Sequence, residues 1–195
     1  IAMIQLFNGM QNSLSMVYDR EMGSMRTLLV TPLPRAYLLS CKLLAGVAVS
    51  ILQVYAFLAV AWVFDVDVPV WGYLTLFPAL VLNGLMLGAM GLFLSSAIKR
   101  LENFAGIMNF VIFPMFFMSS ALYPLWKMKE SSLLLYQICS WNPFTYGVEL
   151  IRFALYGQFN GEALGLSLLA LVIFMGLAIY GYSPQRGMVD RKEAI

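Results

Sequence analysis

Long apolar runs broken by short polar islands set the pattern of this chain. A membrane helix needs about 20 mostly apolar residues. Five stretches answer that description: residues 1–18, 39–64, 74–98, 103–126 and 163–183. The first, "IAMIQLFNGMQNSLSMV", opens inside an apolar run, which predicts that the chain starts partway through a span. The third lies within residues 68–98, which carry no charge. Pro69, Trp71 and Tyr73 read as its interfacial lead-in, with aromatics at headgroup depth, and Pro78 falls near the start of the helix proper. Runs this uniformly apolar are predicted to be helices, because barrel strands would alternate. Gly84, Gly88 and Gly91 have the small-residue spacing that lets helices approach closely, within one chain or across a dimer.

Two islands stand out. The first is "YDREMGSMRTLLVTPLPR", residues 18–35. As a helix it places Tyr18, Met22, Met25 and Leu29 on one face, and Pro32 and Pro34 stop it. A methionine-rich face suits a partner groove, while a basic interfacial helix equally suits anionic lipid. The second island, residues 127–162, is too polar to span and too apolar for a free loop. It reads as two short amphipathic pieces around a break at Asn142-Pro143. Glu149 and Arg152, three apart, can pair on one helix face, and Leu150, Ile151 and Phe153 supply apolar surface. The segment is either a cap on the bundle or an outer gate.

Composition agrees with lipid as the solvent. Of 195 residues, 61% are hydrophobic and 11% charged, and mean hydropathy is +0.80. Soluble domains have about 45–50% apolar and about 25% charged residues. With five crossings, one side receives Arg20, Arg26, Arg35, Lys42, Lys99, Arg100, Arg186, Arg191 and Lys192, against Asp19, Glu21, Glu102, Asp190 and Glu193. The other receives Lys127, Lys129 and Arg152, against Asp65, Asp67, Glu130, Glu149 and Glu162. The first side is therefore net +4 and the second net −2, and the positive-inside rule assigns the first to the cytoplasm. An even number of crossings would scramble this asymmetry.

Candidate chemistry is sparse. The chain has no histidine and no Walker A sequence, and its two cysteines, Cys41 and Cys139, have no metal-ligand spacing. That argues against zinc chemistry, a Ser-His-Asp triad and P-loop ATP binding in this chain. A membrane acyl- or glycosyltransferase would have to rest on Glu130, Glu149, Glu162, Asp65 and Asp67 alone. The spans hold almost no ionisable residue, against a proton-coupled secondary transporter. Their polar positions include Gln53, Asn83, Ser95, Ser96, Asn109, Ser119 and Ser120. Of these, Asn83, Asn109 and Ser119 are candidates for a pathway or for helix–helix hydrogen bonding. A nonenzymatic scaffold that recruits a soluble partner through the first island is a further alternative.

The run "YDREMGSMRTLLVTPLPRAYLLSCKLL" resembles the cytoplasmic signature of type-2 ABC exporter permeases, through Asp19, Arg20, Glu21, Gly23, Leu28, Leu29, Thr31, Pro32 and Lys42. A second element, "NPFTYGVELIR", is similar to the family's Asn-Pro-Leu/Phe-Thr-Tyr stretch before the last span, through Asn142, Pro143, Phe144, Thr145, Tyr146 and Arg152. The resemblance implies an all-α polytopic bundle whose first span lies upstream. Residues 19–31 would form a coupling helix and 127–162 an external, interfacial or re-entrant segment. Arg20, Glu21, Gly23, Met25, Arg26, Leu28, Leu29 and Pro32 would contact a separate ATP-binding subunit, which would bind the ATP and Mg. Arg26 stands where the family often has an acidic residue. Asn142, Pro143, Tyr146, Glu149 and Arg152 would belong to the external gate segment. The resemblance further implies pairing as a homodimer or heterodimer, membrane lipid as the surroundings and no nucleic acid partner. It implies a bacterial inner (plasma) membrane and a drug-like, lipid-linked or glycan cargo.

Overall fold

The computed structural model describes residues 1–22, 35–65, 69–98 and 101–181. Those residues form eight helices and no strand: α1 (Ala2–Glu21), α2 (Arg35–Val63), α3 (Val70–Ala97), α4 (Leu101–Phe117), α5 (Leu125–Ser131), α6 (Leu133–Trp141), α7 (Pro143–Leu155) and α8 (Gly161–Gly181). Among the described residues, Ala36–Val63, Val70–Ala97 and Gly161–Gly181 are long and apolar enough to cross a membrane. α1 is more polar and packs against α2 and α3, and α4 is shorter and packs against α1. The chain is an all-α membrane protein.

α3 is the central helix. In its most apolar window 67% of residues are buried, against 28% for α2 and 17% for α8. Leu52, Phe57 and Trp62 of α2 and Val172 and Tyr180 of α8 are exposed. Lipid, not water, tolerates such faces. Leu6, Met10, Met86, Leu87, Phe144 and Val148 form one core between α1, α3 and α7. Met16, Leu39, Leu43, Ala89, Leu92 and Ala178 form a second, where α1, α2, α3 and α8 meet.

The glycines of α3 serve these contacts. A Cβ on Gly91 would lie 2.7 Å from the Gly9 carbonyl oxygen, and one on Gly9 would lie 3.0 Å from the Leu87 backbone carbon. The α1 and α3 backbones therefore meet directly. Gly84 and Gly88 face Val47 and Leu43 of α2. The stripe that could have served packing or a dimer is turned inward and packs within the chain.

Three boundaries differ from the sequence reading. α1 does not stop at residue 18: the Met22 N–H donates to the Tyr18 carbonyl at 2.9 Å, and Asp19, Arg20 and Glu21 continue the first helix. No glycine or proline lies among residues 18–22 to break it. Gly23, Met25, Arg26, Leu28, Leu29 and Pro32, and the Arg20 side chain, lie outside the described residues. α4 ends at Phe117 instead of running on to 126, and residues 118–124 turn. The external segment is three helices instead of two, because Ser132 is extended (φ −160, ψ 123) between α5 and α6. The break at Asn142 lies where the Asn-Pro dipeptide places it.

Candidate functional site

Two polar constellations lie at opposite ends of the bundle, and a third lies between them. The first begins on α1, where Gln5, Asn8, Asn12 and Asp19 recur at helical spacing. Asn8 Nδ2 donates to Gln53 Oε1 of α2. Asn12 Nδ2 donates to the Lys42 carbonyl at 3.1 Å. The Lys42 ammonium forms an ion pair with Asp19. Lys42 is the only charged residue of positions 36–63. An unpaired lysine on an otherwise apolar membrane helix is costly, so Asp19 supplies what α2 lacks. Tyr18, Glu21 and Met22 at the end of α1 are exposed. Arg20, Arg26 and Arg35 lie in the sequence between or beside these residues, so this end, where α1 leads into the first polar island, is called the basic end.

The second constellation joins α7 to the end of α4. Asn142 Nδ2 donates to the Met115 carbonyl at 2.7 Å and the Met118 carbonyl at 2.9 Å. Its Oδ1 accepts from the Phe144 N–H at 3.0 Å, capping α7 with Pro143 in the first turn. Arg152 Nη1 donates to Glu149 Oε1 at 2.7 Å, and Nη2 donates to the Ser120 carbonyl at 2.8 Å. Ser119 Oγ donates to the Phe116 carbonyl, and Ser120 Oγ to the Thr145 carbonyl. The last carbonyls of a helix have no partner within it, and lipid offers none. Here Asn142 fills the Met115 carbonyl and Ser119 that of Phe116, which lets α4 stop at Phe117, while Asn142 and Arg152 fill the Met118 and Ser120 carbonyls of the turn that follows. Glu149 is 8% exposed, so Arg152 also neutralises a nearly buried carboxylate. The Tyr146 hydroxyl donates to the Ser140 carbonyl at 2.7 Å. Burial, then the charge of Glu162, pushes this phenol above its ordinary range and keeps it a donor.

The third group lies in the middle. Asn83 Nδ2 donates to Gln5 Oε1 at 2.7 Å, and Gln5 Nε2 donates to the Leu80 carbonyl at 2.8 Å. These amides tie α1 to α3. Asn83 Oδ1 has no hydrogen-bond partner. It faces Gly147 of α7, where a Cβ would come within 1.9 Å of it. Asn83 and Ser119 are fully buried within the chain, whereas Asn109 is exposed on α4 near Phe110 and Phe113.

The structure thus brings Asn142, Glu149 and Arg152 together and sets Asn83, Asn109 and Ser119 apart. Sequence reading named Ser120 only as a polar position of the spans, and missed Gln5, Asn8, Asn12 and the Asp19–Lys42 contact. A lone lysine in a 28-residue apolar stretch was the available signal for the last. Among the described residues no three metal-type donors come together. A family model described as ABC-2 type transporter matches residues 1–156. A search of curated proteins gave no match.

Proposed function

Because the chain belongs to the ABC-2 type transporter membrane family, in which it is a permease component, we propose that it is the transmembrane subunit of an ATP-driven exporter. The observation that carries this reading is the antiparallel pair α1–α2, with residues 23–34 between them in the sequence. By the positive-inside rule the basic end would face the cytoplasm, and the family resemblance implies a bacterial inner membrane as its setting. Residues 19–31 then face a separate ATP-binding subunit, which holds the ATP and Mg. Arg20, Glu21, Gly23, Met25, Arg26, Leu28, Leu29 and Pro32 are the contact residues.

Two copies would pair around a pathway for an amphipathic, drug-like, lipid-linked or glycan cargo. The exposed Gln11 of α1 and Asn109 of α4, set among Phe7, Phe110 and Phe113, offer the mixed polar and aromatic surface such a cargo needs. The α5–α7 segment would close the outer end, and the Asn142–Arg152 clasp would hold it shut. ATP binding must favour one permease state over another, since a ligand shifts an equilibrium only by its differential affinity.

The test is to purify the full-length protein in detergent and ask whether an ATPase subunit comes with it. Glu21→Lys is then expected to lower permease-stimulated ATP hydrolysis about tenfold, within the usual range of coupling energies. Hydrolysis and association unchanged by this charge reversal would sink the docking assignment. Uptake or efflux that follows a proton gradient without any ATPase would point to a secondary transporter instead.

A further inference from the structure

Resting on that reading, we infer that Asp19 and Lys42 are positioning residues: they form a fixed joint that makes α1 and α2 move as one body when residues 23–34 are pushed. Lys42 is bound to α1 twice. Its carbonyl accepts from Asn12, and its ammonium pairs with Asp19, seven residues and about two helical turns further along α1. Gly46, one turn past Lys42 on α2, leaves room for Asn12, whose amide would collide with a Cβ there.

Apolar contact at this level comes from Met16 of α1, which lies in one cluster with Leu39 and Leu43 of α2. Apolar contact resists separation but has no direction, so it allows helices to slide along one another. Hydrogen bonds and ion pairs have direction and fix register. Sliding by one turn would strip Lys42 of both partners and leave its charge beside apolar side chains. The Asn8–Gln53 hydrogen bond fixes register further along the same two helices, and the pair adds a lock just where both helices lead into residues 23–34.

The experiment uses the full-length permease with its co-purified ATPase subunit in proteoliposomes. Asp19→Asn and Lys42→Gln are each expected to lower permease-stimulated ATP hydrolysis about tenfold while the ATPase still co-purifies. The charge swap Asp19→Lys with Lys42→Asp should restore most of that loss. A second measurement separates a joint from a simple stabilising contact. With Cys41 and Cys139 changed to Ser, Asp19→Cys with Lys42→Cys should be as poor as the single variants. Bridging the two thiols with a short bifunctional maleimide should then restore stimulation, since a covalent joint replaces the ionic one. Full stimulation in the single variants, or loss of residual activity on bridging, would overturn the inference, the latter because it means that the pair must open. Failure of any ATPase to co-purify with the unaltered protein would instead remove the permease reading, and the joint with it.

Discussion

At the basic end, α1 meets α2 through two charged side chains, with the chain's main polar island between them in sequence. At the opposite end, α7 meets the end of α4 and the turn after it through side chains that fill backbone acceptors. The first arrangement leaves each helix intact without its partner and fixes only their register. The second completes a helix end that lipid could not complete, so the fold depends on it. Substitutions should divide accordingly: coupling without large loss of stability at one end, and stability before anything else at the other.

The largest effect is expected from Arg152→Ala. It leaves Glu149 as an uncompensated, nearly buried carboxylate and frees the Ser120 carbonyl. Removing one partner of such a pair costs about 2–4 kcal/mol. Thermal unfolding in detergent should fall sharply, and Arg152→Lys should recover only part, since it loses the two-pronged contact. If stability held and only ATP coupling fell, the division between the two ends would be wrong.

Asn142→Ala comes next. It removes the α7 cap and the donor shared by Met115 and Met118, and a lost cap alone costs about 1 kcal/mol. About 2 kcal/mol in total is expected, read as a lower melting temperature. Asn142→Asp should keep the cap yet lose both carbonyl contacts, which splits the two roles.

How much of this was legible follows from distance along the chain. The Glu149–Arg152 pair is an i, i+3 contact, and the Asn142-Pro143 break is a dipeptide, so both can be read locally. The inward turn of Gly84, Gly88 and Gly91 was one of two readings that spacing allowed, and only the partners Val47, Leu43 and Gly9 decide it. The end of α4 was not legible. Apolarity continues past Phe117, and the groups that fill the helix end and the turn after it come from Asn142 and Arg152, about 25–35 residues later. Asp19 and Lys42 were each visible as motif positions, but nothing local links residues 23 apart. Proline and charge patterns report what a segment does to itself; they carry no record of which distant side chain meets it.

The smallest effect sharpens the comparison most. Thr145 lies within the clasp and is fully buried, but its hydroxyl has no hydrogen-bond partner. Its backbone does the joining: its N–H donates to the Asn142 carbonyl at 3.0 Å, and its carbonyl accepts from Ser120. If the clasp works by filling backbone acceptors, a side-chain polar group that fills none should be dispensable. Thr145→Val keeps the shape and removes an unpaired buried hydroxyl, which is neutral or stabilising by about 0.5–1 kcal/mol. An unchanged or slightly raised melting temperature is expected. A fall as large as that of Asn142→Ala would mean that hydroxyls, and not only backbone acceptors, hold this end together.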